Sequence, residues 1–335
     1  MKKRTVVFLT VGVVLFILGT IIFVGAMSVM KWDFMKLDTR KFETQTHEFE
    51  ESFNNISIKA EYTEVTVLLS ENGKCIVECY EDEKVKHTVK IIDGTLEIKN
   101  DDDREWYEYI SLFNFKRARL TVYLPESVYG SLYVKTGSDV KISEGFTFES
   151  VQTDSVSGDV VCLSNVNNSL EIEATSGDVR VENASVGSLE IRNTSGDIEV
   201  FNVKVDNEAS VRVTSGEIRM TNVECGTLFA NGVSSDVTLK NVVSSGNMTV
   251  KTVSGDVELE GIDGEAISIK TTTGDVEGYV YTDKTFLCKT TSGDCEYPKT
   301  SGGICEIETT SGDQREPQAI FHLCQRALDY KQIGL

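Results

Sequence analysis

Thr175-Ser176-Gly177-Asp178-Val179 is the stretch of sequence that decides the fold, because close copies of it return every 19 or 20 residues. The acidic position of the copies falls at Asp139, Asp159, Asp178, Asp197, Glu217, Asp236, Asp256, Asp275, Asp294 and Asp313. The first and last of these lie 174 positions apart, so the mean interval is about 19.3 residues, the spacing of a solenoid repeat. The period therefore predicts a stack of similar rungs.

The residues on either side of the repeated turn alternate between apolar and polar. The alternation runs through Leu170-Glu171-Ile172-Glu173 before the turn and Val179-Arg180-Val181-Glu182 after it, and a period of two predicts β-strands. Glycine adopts the turn conformations that other residues avoid, and the aspartate can hydrogen-bond the turning main chain. Asparagines, which tolerate left-handed backbone, predict the next corner of the rungs. They are Asn165, Asn183, Asn202, Asn222 and Asn241.

Stacked rungs place equivalent residues about 4.8 Å apart, so the apolar positions line up in internal columns. The column after the acidic residues reads Val140, Val160, Val179, Ile198, Ile218, Val237, Val257, Val276 and Cys295. A second column, two residues further on, reads Ile142, Cys162, Val181, Val200, Met220, Leu239 and Leu259. A third, from the strand before the turn, reads Leu170, Leu189, Leu228, Met248, Ile267, Phe286 and Cys305. Such faces become buried only by stacking, which predicts an all-β, right-handed parallel β-helix.

Other repeat architectures fit the period less well. Leucine-rich repeats need a helical or leucine-dense return segment, and propeller blades need about twice the period. Calcium-binding nonapeptide β-rolls and hexapeptide β-helices need shorter repeats.

The N-terminal segment is apolar enough to cross a membrane. Residues 5–30 contain no charge, and about 20 apolar residues are sufficient for a transmembrane helix. Basic residues within 1–4 favour a cytoplasmic N-terminus, which would place the solenoid outside the cytoplasm, with 31–52 as a juxtamembrane stalk. A cleaved signal peptide is the alternative, since Val24-Gly25-Ala26 has the small residues of a cleavage site; the length of the apolar stretch favours an uncleaved anchor.

Residues 53–136 are predicted to form degenerate N-terminal rungs. Ile56-Ser57-Ile58-Lys59-Ala60 overlays the strand before the turn of the regular repeats without a gap. Within this region, 100–116 differs in composition and is predicted to be a cap or insertion. Its aromatic residues also suggest a contact loop for a ligand, formed by Trp106, Tyr107 and Tyr109.

Residues 137–313 are the regular repeats, and 314–335 form a tail of different composition. Apolar residues at helical spacing in the tail would suit a cap helix over the last rung. The abrupt loss of repeat chemistry would equally suit an altered reading frame.

Charge and composition exclude several classes of function. The formal net charge of −20 disfavours binding to nucleic acids and to anionic lipid surfaces. Four of the eight cysteines, at 162, 288, 295 and 305, fall at apolar strand positions of the repeat, where a free cysteine packs as a small apolar residue. Cys75 and Cys79 lie about 13 Å apart on one predicted strand, too far to bridge. No Cys-x-x-Cys pair occurs, so the sequence predicts no metal site and no cofactor.

The sequence carries no catalytic motif, and the chain is expected not to be an enzyme. β-Helix enzymes that cleave glycans place paired carboxylates in a groove built from inserted loops, whereas the intervals between 137 and 313 vary by only one residue. The ten acidic residues of the repeated turn form a ridge that could attract cations or a ligand weakly. An ordered calcium site needs six to eight converging oxygens, which a single ridge does not supply.

Three elements together resemble a known family: Val122-Tyr123-Leu124-Pro125, then Leu132-Tyr133-Val134, then the serial Thr-Ser-Gly-Asp-Val units. The sequence is similar to the bacterial putative-adhesin domain of unknown function, found in membrane-anchored surface proteins, over roughly residues 50–313. The resemblance implies a β-solenoid exposed outside the cell and supplies no catalytic residues. The chain departs from the family at Gln314-Arg315-Glu316-Pro317, where the closing strand of the last rung is expected.

The combined features predict a single-span membrane protein that displays a β-solenoid at the cell surface. Its expected role is adhesion, or binding and scaffolding in the envelope, with a cell-wall polymer or an envelope protein as partner. One alternative is an accessory or regulatory subunit of an envelope-stress signalling system that binds a membrane partner through residues 5–30. A glycan-active β-helix enzyme is the third.

Overall fold

The repeated stretch folds into a β-solenoid of parallel strands, as its period predicts. The computed structural model describes residues 3–34, 40–102, 116–281, 285–292, 294–296, 305–311 and 314–315. The hand of the winding stays a prediction.

The N-terminal third contains the helix and the less regular strands. Their bounds are α1 Lys3–Val29, β1 Phe42–Phe49, β2 Asn55–Ala60, β3 Thr63–Leu69, β4 Cys75–Asp82, β5 Val85–Ile92, β6 Thr95–Asp102, β7 Ala118–Leu124 and β8 Val128–Thr136. The regular rungs follow as β9 Val140–Ile142, β10 Thr147–Ser155, β11 Val160–Cys162, β12 Asn165–Ser176, β13 Val179–Glu182, β14 Ser185–Ser195, β15 Ile198–Ser215 and β16 Ile218–Ser234. The last strands are β17 Val237–Ser244, β18 Met248–Lys251, β19 Val257–Ile262, β20 Ala266–Lys270, β21 Val276–Val280, β22 Thr285–Ser292, β23 Cys295–Glu296, β24 Cys305–Ser311 and β25 Gln314–Arg315.

Each regular rung has three faces, which we call A, B and C in relation to the repeated turn. Face A precedes the Ser-Gly-Asp turn, and its parallel strands follow the order β6, β2, β8, β10, β12, β14, β15, β16, β18, β20, β22, β24. Face B follows the turn, in the order β7, β3, β9, β11, β13, β15, β16, β17, β19, β21, β23, β25. Face C is a short stretch after the asparagine corner, where β14 pairs with β15 through Ser185 and Val186.

The three predicted columns face the inside of the solenoid. Every described side chain among them is exposed by no more than 3%. Face C adds a fourth inward file, which contains Phe148, Val166, Val186 and Val205. The shaft is therefore continuous because each rung repeats the same inward positions.

The asparagine corners are observed at four of the five predicted positions. Asn183, Asn202, Asn222 and Asn241 have φ between 52° and 54°. The prediction for Asn165 is wrong: this residue begins β12, and its Oδ1 accepts a hydrogen bond from the Ser185 amide at 2.9 Å. Its rung has one residue fewer between faces B and C, so the corner falls before Asn165.

The N-terminal end of the solenoid does not follow chain order. Strands β2 and β3 form one rung that is flanked on both sides: β2 pairs with β6 and β8, and β3 pairs with β7 and β9. Three antiparallel strands complete this end, since β4 pairs with β7, β1 pairs with β4, and β5 pairs with β6. The stack thus ends in strands that differ from the repeat, as terminal units of a solenoid must.

Helix α1 is long and apolar enough to span a membrane. Its segment Val7–Val29 has a mean hydropathy of 2.9 and is not buried against the solenoid. An N-terminal signal sequence would show the same length and composition.

Candidate functional surfaces and an internal polar cluster

The acidic residues of the repeated turn form a hydrogen-bonded ladder along the solenoid. The main-chain amide of Asp178 donates to Asp159 Oδ1 at 2.8 Å, and the amide of Asp197 donates to Asp178 Oδ1 at 2.8 Å. The same bond joins Asp159 to Asp139, Glu217 to Asp197, Asp256 to Asp236, Asp275 to Asp256, and Asp294 to Asp275. Each of these accepting carboxylates therefore satisfies an amide of the next rung, and such a charge-assisted hydrogen bond is stronger than a neutral one.

Glu217 interrupts the ladder. Its longer side chain pairs with Arg219 at 2.5 Å and accepts a hydrogen bond from Thr238 Oγ1 at 3.3 Å. The acidic ridge thus has a structural role: its aspartates connect successive rungs, because the register places each carboxylate beside the amide of the next turn. Asp313 at its end lies outside the described residues, as do Trp106, Tyr107 and Tyr109 of the predicted contact loop.

A second ladder runs along the asparagine corner. Asn202 Nδ2 donates to Asn183 Oδ1 at 3.1 Å, and Asn222 Nδ2 donates to Asn202 Oδ1 at 2.8 Å. Asn241 Nδ2 continues it to Asn222 Oδ1 at 3.1 Å, and Tyr281 Oη donates to Asn241 Oδ1 at 2.9 Å. The ladder thus ends at Tyr281, and its side-chain amides form hydrogen bonds with one another between the rungs.

The outward side of face A carries a basic file, a row of residues brought side by side by strand pairing. In spatial order the file contains Lys99, Lys59, Lys135, Asp154, Glu173, Arg192, Arg212, Asn231, Lys251 and Lys270. Lys289 follows at the next register position. Neighbouring members lie about 4.8 Å apart along the stack. The file is therefore predominantly cationic on a chain whose net charge is −20.

Ion pairs neutralise the middle of the basic file. Arg192 contacts Glu171 at 3.1 Å, Glu173 at 2.8 Å and also Glu190, and Arg212 contacts Glu190 at 2.8 Å. These side chains are partly exposed, so such pairs contribute little to stability individually.

The ends of the basic file have fewer anionic neighbours. Lys99 pairs with Glu97 at 2.6 Å, and Lys59 lies 5.7 Å from the ring centre of Tyr133. Lys135, Lys251 and Lys270 are exposed and form no ion pair with any other described residue. Cationic charge is therefore available at both ends of the file.

A shallow groove of about 640 Å³ follows the central part of the basic file. It is lined by Lys135, Asp154, Glu173, Arg192, Arg212 and Asn231 together with the residues that lead into the repeated turn. The groove is long because identical positions of successive rungs line it. A linear ligand would fit this shape better than a compact one.

An internal polar cluster lies at the N-terminal end of the shaft, where β4 turns into β5. Cys79 and Glu81 alternate with outward residues on β4, and His87 points inward from β5. All three are buried, with 0%, 0% and 5% exposure. Glu81 Oε2 lies 2.7 Å from both the main-chain nitrogen and Nδ1 of His87, and His87 Nε2 lies 3.4 Å from Thr63 Oγ1.

The cluster is chemically unlike the rest of the shaft. Sulfur, oxygen and nitrogen donor atoms of its three residues lie within 4.8 Å of one another. Burial raises the pKa of the Cys79 thiol to about 12, and the Glu81 carboxylate acts in the same direction. Glu81 Oε1 is buried and has no hydrogen-bond partner among the described residues.

Sequence reasoning missed both the basic file and the internal cluster. Most of the file stands five positions before each acidic residue, so reading that column alone would have found Arg192, Arg212, Lys251 and Lys270. The cluster had a weaker signal, a charged residue at position 81 where the strand alternation calls for an apolar one.

The chain is similar to one protein family and to several solved structures. The model of the Toastrack DUF4097 family matches residues 53–226 and 223–316. A putative adhesin from Parabacteroides distasonis ATCC 8503 has 12% identity and a TM-score of 0.35, over 83% of this chain and 98% of that one. A putative adhesin from Bacteroides fragilis NCTC 9343 has 15% identity and a TM-score of 0.35, over 83% and 97%. A putative lipid binding protein from Parabacteroides distasonis ATCC 8503 has 12% identity and a TM-score of 0.33, over 82% and 97%. No curated protein matches the chain.

Proposed function

The chain belongs to the Toastrack DUF4097 family, and we propose that it is a membrane-anchored, surface-displayed β-solenoid that binds an anionic envelope polymer without catalysing a reaction. Helix α1 serves as the anchor. The basic residues at its N-terminal end, Lys2, Lys3 and Arg4, stay in the cytoplasm, so the solenoid lies outside the cytoplasm. Face A is the binding surface.

The observation that carries this proposal is the basic file on face A. Two like charges 4.8 Å apart repel by about 0.9 kcal/mol in bulk water, so the exposed lysines favour a ligand that brings negative charge between them. A polymer with regularly spaced phosphate or carboxylate groups supplies that charge along the whole file. Each neutralised phosphate also releases a counterion, which drives binding at low salt.

The net charge of −20 opposes an anionic partner, but only at long range. At physiological ionic strength the Debye length is about 8 Å, so charges on the far faces of the solenoid are largely screened at face A. The nearest charges decide the local attraction. At one end of the file these are Lys99, Lys59 and Lys135, with Glu97 beside Lys99 and Asp154 beside Lys135. At the other end they are Lys251 and Lys270.

The test measures binding of the full chain, reconstituted in phosphatidylcholine nanodiscs, to immobilised linear inorganic polyphosphate at several salt concentrations. We expect saturable binding that weakens as salt rises. The double variant Lys251→Gln/Lys270→Gln should bind about tenfold more weakly. Its slope of log affinity against log salt should fall by about 1.5, because each neutralised phosphate contributes roughly 0.7 to 0.9.

The matched control changes the same net charge on other faces. Lys141 is exposed on face B and Lys204 on face C, where it pairs with Asp206 at 3.7 Å. The variant Lys141→Gln/Lys204→Gln should bind polyphosphate like the unmodified chain. Equal loss in both double variants would refute the assignment of the surface to face A, and absence of salt-dependent binding would refute the proposed function.

A further inference from the structure

We propose that Cys79, Glu81 and His87 form a binding site for a zinc-type divalent metal ion inside the N-terminal end of the solenoid. This inference stands independently of the proposed function, because the cluster lies within the shaft and not on face A. It also departs from the sequence-based expectation of no metal site.

Strand geometry brings the three residues together. Cys79 and Glu81 are two positions apart on β4, so both point into the shaft, whereas Tyr80 between them points outward. The turn at Glu83 and Lys84 returns the chain as β5, which brings His87 back over Glu81. The main-chain nitrogen of His87 holds the Glu81 carboxylate at 2.7 Å, so the two elements are fixed in relation to each other.

The apolar surroundings make it energetically unfavourable to bury this cluster for a structural role alone. Apart from Thr63, which contacts His87, the inward residues around it are apolar and include Val77 on β4 and Ile98 on β6. A buried carboxylate needs partners for its oxygens, yet Glu81 Oε1 has none among the described residues. A buried carboxylate that has one unpaired oxygen and lies beside a thiol and an imidazole is the arrangement expected of a ligand set without its ion.

The donor set selects the chemical class of the ion. Thiolate sulfur, imidazole nitrogen and carboxylate oxygen together suit zinc and related transition metals, whereas magnesium and calcium prefer oxygen ligands alone. A thiolate and a carboxylate also balance the two positive charges of the ion. Three protein ligands leave the fourth position of a tetrahedral ion for a water molecule.

The spacing of the donors fits this assignment after small side-chain movements. Zinc bonds of 2.0 to 2.3 Å place tetrahedral donors roughly 3.3 to 3.8 Å apart, and the present donors lie within 4.8 Å of one another. Thr63 Oγ1, 3.4 Å from His87 Nε2, can hold the outer nitrogen of the imidazole while Nδ1 faces the ion.

The experiment uses the full chain in detergent, stripped with a chelator and titrated with Co(II) and with Zn(II). One Co(II) per chain should bind and give the thiolate-to-cobalt absorption and the intense visible bands of a tetrahedral site. Zn(II) should displace it, with the affinity read by competition with a colorimetric chelator. A spectrum without a thiolate band, or less than half an equivalent bound, overturns the proposal.

Variants identify the ligands. Cys79→Ala should abolish the thiolate band, and Glu81→Gln and His87→Gln should each weaken zinc binding at least tenfold. Cys75→Ala is the matched control: Cys75 lies on the same strand and the same inward side, is 4% exposed, and falls outside the cluster. It should leave the cobalt spectrum unchanged, and an equal effect of both alanine variants contradicts the site.

A second measurement distinguishes the loss of a metal ligand from a loss of binding that is caused by misfolding. Far-ultraviolet circular dichroism of each metal-free variant should retain the β spectrum of the unmodified chain. Zinc should raise the Tm of the unmodified chain and of Cys75→Ala, because an ion that binds only the folded state stabilises it, and should not raise that of Cys79→Ala. A zinc-induced rise in Tm for Cys79→Ala overturns the assignment of this residue.

Discussion

At the scale of single residues, the repeated turn is decided by contact with the rung beneath it as much as by its own backbone. Gly196 has φ of 126°, a conformation that residues with a side chain rarely adopt. A Cβ at this position would lie 2.2 Å from the carbonyl oxygen of Gly177 in the preceding rung. Glycine is therefore required twice, once for the turn and once for the close approach of stacked main chains.

Replacement of Gly196 by alanine should destabilise the protein by roughly 3 to 5 kcal/mol. The positive φ accounts for about 1 to 2 kcal/mol, and the collision with main chain that cannot move aside accounts for the rest. Urea unfolding of the full chain, followed by circular dichroism, measures the loss.

Gly73→Ala is the control for the conformational contribution alone. Gly73 also has a positive φ, of 71°, but a Cβ there meets nothing within 4 Å. Its replacement should cost only about 1 kcal/mol. Similar losses in the two variants would show that stacking contact is not the dominant demand at the turn.

At the scale of elements, the solenoid is held by ladders that run across the strands. The aspartate ladder ties each turn to the next, and the asparagine ladder does the same at the following corner. Gly261 takes the next corner position with φ of 66°, and the Tyr281 ring covers it while its hydroxyl caps Asn241. Side-chain ladders therefore supplement the main-chain pairing between rungs.

Asn222→Gly tests the asparagine ladder. Glycine keeps the backbone conformation, whose φ is 54°, but removes the bonds to Asn202 and from Asn241. Each such bond contributes about 0.5 to 1.5 kcal/mol net, so the loss of two should lower the free energy of unfolding by about 1 to 3 kcal/mol beyond the entropic effect of glycine.

The variant Asp93→Gly is the control that measures the entropic effect of a glycine by itself. Asp93 has φ of 48° in the turn between β5 and β6, apart from the ladder. The free energies of unfolding of the two variants, measured with urea, should differ by at least the contribution of one hydrogen bond, about 0.5 kcal/mol or more. If they coincide, the ladder contributes nothing measurable.

At the scale of the whole molecule, charge is distributed unevenly around the shaft. The acidic ridge lies at one corner, with its carboxylates committed to main-chain amides, and face A carries the basic file. A cation attracted to the ridge meets a row of already bonded carboxylates spaced along a line. It does not find the six to eight converging oxygens of an ordered calcium site.

Calcium and magnesium should therefore act alike on the full chain. Both reduce the self-repulsion of a protein with net charge −20, so Tm should rise gradually with the concentration of either ion. Scanning calorimetry at matched concentrations of the two chlorides makes the comparison. A saturable rise in Tm with calcium alone would instead demonstrate an ordered site on the ridge.

The sequence by itself determined the rung: the 19- or 20-residue period, the inward column of valines and isoleucines from Val140 to Val276, and the glycine before the acidic residue at most turns. These features are readable because alternation and turn chemistry are local, and stacking only repeats them. Asn165 misled the reading because one residue fewer in its rung moved the corner. The acidic ridge was visible as a row, but its bonding to amides of the next rung was not.

Only the tertiary structure decided what happens at the N-terminal end. Lys59 and Lys99 join Lys135 in one file because β2 is inserted between β6 and β8, an order that the chain does not follow. His87 reaches Glu81 and Cys79 because the chain reverses between β4 and β5 at this end of the shaft. Pairing between distant strands is set by the competition of whole sheet edges for partners and by burial of the shaft, and no local pattern of residues encodes that outcome.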